Sequence, residues 1–206
     1  MNNSSSKKSR QHMFKLAGIN KKNKGTDSHA ELIQNHINIM EKVLPVIIET
    51  CKYGTERRIN DEINRTIRHC QNVFGWWGDR RSALLYFEEN IELSEMKEKG
   101  KYIVEHAIPA NASVKKYREG EKLQNLIFNP VALITKDSDT ELFRAGLGRE
   151  GHDFLLPFKR YSKVGIRLKN LFEEEIDCKN FTMEDNFKLI RRVPELKNVL
   201  DGLKCG

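Results

Sequence analysis

Glu105 and His106 stand side by side at the end of the apolar run Tyr102-Ile103-Val104. An imidazole that titrates near neutral pH beside a carboxylate suits proton transfer, so this pair is the first candidate for chemistry. Gly100 breaks whatever precedes the run, and Pro109 cannot continue a central strand, so the run is predicted to be a short strand between two breakers. Adjacent strand residues point to opposite faces. The pair can therefore serve one site only if the strand ends or bulges there.

The elements that must position this pair are mostly helical in pattern. Leu32, Ile33, Ile37, Met40, Val43, Leu44, Ile47, Ile48 and Cys51 recur at helical spacing after an N-cap at Asp27 or Ser28, with Pro45 expected to kink the helix. A second helix is predicted from about Glu56 to Phe74, with Ile59, Ile63, Ile67, Cys70 and Phe74 in one stripe and Arg57, Arg58, Arg65 and Arg68 mostly off it. His36 and His69 read as ordinary helix histidines. Trp76 and Trp77, between two glycines, read as a packing anchor ahead of a base-stacking platform. A third helix is expected over 79–98. After the candidate strand, Ala110 to Tyr117 reads as a short helix that exposes Lys115, Lys116 and Arg118 in a row.

Val131 to Ile134 is a second short apolar strand or extended segment. Thr135 then caps a helix ending at Gly146, or Ser138 and Glu141 form a capping box that starts it three residues later. Either way Asp137 and Asp139 fall in the first turn, where the helix dipole favours carboxylates. Gly146 to Gly151 has glycines at a dinucleotide-binding spacing, but it follows a predicted helix and reads as a loop. Further on, Thr182 with Asp185 caps one segment and Pro194 opens a last one.

Charge narrows the partners. The 206 residues carry 36 basic and 29 acidic side chains, a formal net charge of +7. Seven of the basic residues lie in Met1 to Thr26, which holds no acid, so the remaining 29 are matched by the 29 acids. Residues 1–26 thus read as a basic flexible tail that tethers non-specifically to polyanions, and pI alone says little about the body. Residues 27–99 read as a helical region and 100–206 as an α+β region. Cys51, Cys70, Cys178 and Cys205 show no CxxC spacing, which fits a reducing, cytoplasmic setting. No stretch is long and apolar enough to be expected to span a membrane. P-loop, HExxH and GxSxG motifs are absent from the sequence.

Glu105-His106, then Asn129, then Asp137 or Asp139 at a helix start is an order that resembles the HNH, or ββα-metal, nucleases. Val104-Glu105-His106-Ala107-Ile108-Pro109 and Asn129-Pro130-Val131-Ala132-Leu133-Ile134-Thr135-Lys136-Asp137 look like that family's two halves, and the match covers about 40 residues. The resemblance implies metal-dependent hydrolysis of DNA phosphodiester bonds. His106 would be the general base, Asn129 would orient it, and Glu105 with Asp139 or Asp137 would hold Mg²⁺ or Mn²⁺, with Zn²⁺ as the alternative. His152 is a substitute ligand. Lys115, Lys116, Arg118, Lys159 and Arg160 would contact nucleic acid.

Two other functions fit the same residues. In one, the basic clusters hold nucleic acid without catalysis; in the other, the helical N-terminal half is a regulatory interaction module that pairs with another chain. The fold expected in all three is α+β and mostly helical, with N-terminal helices packed on a small domain that has a short antiparallel sheet.

Overall fold

The computed structural model describes residues 29–50, 56–75, 85–92, 100–193, 197, 200 and 201. Expectations for the basic tail, Trp76 and Trp77 fall outside them, and of the segment opened by Pro194 only Lys197, Leu200 and Asp201 are described, all helical. Helix α1 spans His29–Thr50 and runs through Pro45, and α2 spans Glu56–Gly75. Ile37, Val43 and Leu44 of α1 and Ile63 and Ile67 of α2 are buried. Removing each such side chain from water is worth roughly 1.5–3 kcal/mol, which is how two polar-faced helices are held on the molecule.

The strands are β1 (Tyr86–Glu88), β2 (Tyr102–His106), β3 (Val131–Thr135), β4 (Leu168–Asn170) and β5 (Glu175–Ile176). Between them lie α3 (Ala110–Arg118), α4 (Leu123–Ile127), α5 (Lys136–Arg144) and α6 (Lys159–Ser162), and α7 (Met183–Arg192) follows. The strands form one sheet in the order β2-β3-β1-β4-β5. β2 pairs antiparallel with β3, with His106 opposite Val131, whereas β1 and β3 run parallel.

Two expectations are corrected by this sheet. The fold is α+β but not mostly helical, since helices take 48% and strands about 14% of the described residues, and the sheet is five-stranded and mixed rather than short and antiparallel. The helix expected over 79–98 gives way to β1 at Tyr86–Glu88. Leu84, Phe87 and Ile91 recur at helical spacing, but a short apolar run suits either state, and here hydrogen-bonding partners on both flanks, β3 and β4, decide for the strand.

Local signals held where hydrogen bonds are local. Thr135 is the N-cap of α5, with its side chain accepting from the Ser138 amide at 3.2 Å. Gly146, at φ +73°, takes the left-handed backbone that ends such a helix. Thr182 and Asp185 form a reciprocal capping box on α7. The core joins Ile37, Leu44, Ile63 and Ile67 of the first two helices to Tyr86, Ala132 and Ile134 of the sheet and Leu189 and Ile190 of α7. α2 also packs on α3, α4 and β3, which brings its polar edge to the end of β2.

Candidate functional site

β2 is an edge strand that stops at His106. The Ala107 amide donates to the Pro130 carbonyl at 3.0 Å, and three residues later α3 begins behind Pro109. Glu105 and His106 are the last two residues of the β2–β3 ladder, opposite Ala132 and Val131. Both line one polar cavity of about 330 Å³, together with Asn64 and Arg68 of α2, Asn111 of α3, and Gly148 and Arg149 of the loop after α5.

Arg160 builds this corner from beneath. Its side chain is fully buried, and it donates through Nε to the Ala107 carbonyl at 3.1 Å and through Nη1 to the carbonyls of Leu147 at 2.6 Å and Gly148 at 3.4 Å. Nη2 donates to the His106 carbonyl at 2.6 Å and to Glu105 Oε1. A buried guanidinium needs acceptors for its whole fork, and here four carbonyls on two segments and one carboxylate supply them. The expectation that Arg160 contacts nucleic acid is therefore corrected: it ties the end of β2 to the 145–151 loop. Basic residues are usually exposed, and no local pattern marks this one as buried.

The electrostatics follow from that burial. Desolvation pushes the Glu105 carboxyl up; Arg160 pulls it down through charge and hydrogen bond, and the nearby Asp139 charge adds to the rise. His106 is 6% exposed, and burial, reinforced by the Arg68 and Arg160 charges, lowers its imidazole to about 3. It is neutral at cellular pH, and its Nδ1 is buried without a hydrogen-bond partner. Asn64 Oδ1 is in the same position. His152 also has a buried, unpartnered Nδ1, and it is held low by burial and by the Arg160 charge against the opposing Asp153.

The remaining sequence-predicted residues are only partly brought together. Asn129 is buried and its amide donates to Ser113 Oγ at 3.4 Å; it meets the His106 turn through the neighbouring backbone of Pro130 and Val131. Asp139, half-buried in the first turn of α5, is near enough to act on Glu105, while Asp137 is exposed. The expected basic contacts face acids of the same chain. Lys115 and Lys116 pair with Glu119 at 4.0 and 3.5 Å, Arg118 with Glu56 at 2.7 Å, and Lys159 with Asp153 at 3.2 Å.

No family model, no curated protein and no solved structure matches this chain. The site therefore speaks through its own geometry. Among the described residues no three His, Cys, Asp or Glu side chains gather as a metal cage, so a four-ligand zinc site finds no donor set there. Asp139 acts on the Glu105 carboxyl through its charge but is not among the residues that line the cavity. Sequence reasoning missed Asn64, Arg68 and Arg149. Arg68 looked like a solvated helix face and Arg149 like a loop charge, and only the packing of α2 beside the β2 end gives them a common target.

Proposed function

We propose that this protein is a metal-dependent nuclease, built on the β2–β3–α5 unit and cleaving DNA phosphodiester bonds in the cytoplasm. The observation that carries it is the convergence of Glu105 and His106 on one polar cavity at the end of β2. The antiparallel β2–β3 pair and a helix that starts directly after β3 and packs on both strands give this cavity the frame that the sequence resemblance implies.

In this reading Arg160 holds the Glu105 carboxylate and the His106 carbonyl, which fixes the corner before substrate arrives. His106 is uncharged with an unpaired Nδ1, so it can take a proton from an attacking water. An anionic phosphate beside it offsets the Arg68 and Arg160 charges and moves its basicity toward the working pH. A divalent cation held by Glu105 would neutralise charge developing on the leaving oxygen. Ser113 and the turn at Pro130 keep Asn129 and the β2 end in register.

The Arg160–Glu105 pair also favours a second reading, in which the carboxylate is already matched and the cavity binds nucleic acid without cutting it. Cleavage of supercoiled plasmid with Mg²⁺ or Mn²⁺ separates the two. The nuclease predicts that His106→Ala lowers the rate by roughly 10²–10⁴-fold and that Glu105→Ala also abolishes the metal response. Equal activity in wild type and both variants would sink the nuclease, and binding with no cleavage by the wild type would favour the second reading.

A further inference from the structure

We infer that Arg68 of α2 and Arg149 of the 145–151 loop form a phosphate-binding subsite over Glu105 and His106, one that takes a backbone phosphate of a nucleic acid. This deepens the function proposed above and rests on it for the identity of the substrate. Charge is the first argument. Glu105 is matched by the buried Arg160, whereas neither Arg68 nor Arg149 makes an ion pair with any described residue, so two guanidinium charges converge on one cavity without an acid to answer them. Guanidinium groups suit phosphate, whose oxygens accept two parallel N–H bonds at once.

Unmet hydrogen-bonding capacity is the second argument. His106 is more than nine-tenths buried, lines this cavity, and has an Nδ1 with no partner; Asn64 lines it too, and its buried Oδ1 has none. Buried polar atoms are nearly always satisfied in native proteins, so two orphans in the wall of one cationic cavity point to a missing ligand. Asn64 can donate to a phosphate oxygen if its amide is turned over, which leaves the unpaired His106 Nδ1 free to take the proton of the attacking water. The cavity volume of about 330 Å³ admits a phosphate with its sugar. A second cavity of about 400 Å³ shares the Asn64 and Asn111 walls and runs along the α2–α3 seam, where Asp61 and Glu119 line it beside Lys115 and Arg118, so the unmatched positive charge is confined to the Arg68–Arg149 end.

The test is fluorescence anisotropy of a labelled single-stranded or duplex oligonucleotide with the full chain in EDTA, where cleavage cannot interfere, over a range of salt concentrations. Arg68→Gln and Arg149→Gln should each weaken binding roughly tenfold and flatten the salt slope by about one phosphate contact. Arg191→Gln, a paired surface arginine on α7, should leave both unchanged. Thermal melts of the variants, both altered at exposed side chains, check that the fold is intact. Inorganic phosphate that competes in the wild type but not in Arg68→Gln would support the subsite, and phosphate binding with no oligonucleotide binding would assign it to small phosphates. Affinity and slope unchanged in both variants would overturn it. Binding lost in the variants when even the wild type cannot cleave would instead sink the nuclease and keep the subsite.

Discussion

At the scale of single residues the structure turns on Arg160. Its guanidinium meets four backbone carbonyls and Glu105, so replacing it leaves a largely buried carboxylate and several carbonyls unmatched. Breaking a buried pair from one side costs about 3–5 kcal/mol, more than either charge contributes when matched. Arg160→Met should lose that much in a urea denaturation series, and Arg160→Met with Glu105→Leu should recover a large part of it. A double variant no more stable than the single would show that the carbonyl contacts, not the ion pair, carry the cost. The Glu105–His106 pair was legible because it is contiguous; its partner was not, because Arg160 lies 55 residues away and looks like any basic residue in a basic stretch.

At the scale of elements, the helix start at Thr135 was legible and its support was not. Thr135 caps α5 by a contact three residues long, which a sequence displays. Glu88 of β1, 8% exposed, completes the cap by accepting from the Thr135 amide and from Ser138 Oγ, both at 2.7 Å. It thereby locks β1 to the turn that carries Asp137 and Asp139. Hydrogen bonds to a charged acceptor are worth about 1.5–3 kcal/mol, so Glu88→Ala should destabilise by that amount. Amide exchange at Thr135 should speed up in the variant. Unchanged protection there would mean that the cap stands without β1.

Over the whole molecule, acid is expected to be the weak side. The Glu174 carboxylate accepts from Arg192 and from Asn170, which hold it at about 2, below its ordinary 4.5. A lowered carboxylate adds stability that is complete above pH 4.5 and is lost as pH falls through about 2. Asp153, Asp177 and Asp185 are lowered as well, so they push the same way. Melting temperatures measured from pH 6 down to 2 should therefore fall, and less steeply in Glu174→Gln; equal slopes would place the acid sensitivity elsewhere. By itself the sequence determined what neighbours in the chain decide: the caps at Thr135 and Thr182, the strand stopped at His106, and the acid–histidine pair at its mouth. Their energies come from contacts a few residues apart, and those are written in order. Only the tertiary structure decided that β1 is a strand lying parallel to β3, that Arg160 is buried, and that Arg68 and Arg149 share a cavity with His106. Periodicity and charge tell which face of an element meets water or core, but not which distant element fills the other side.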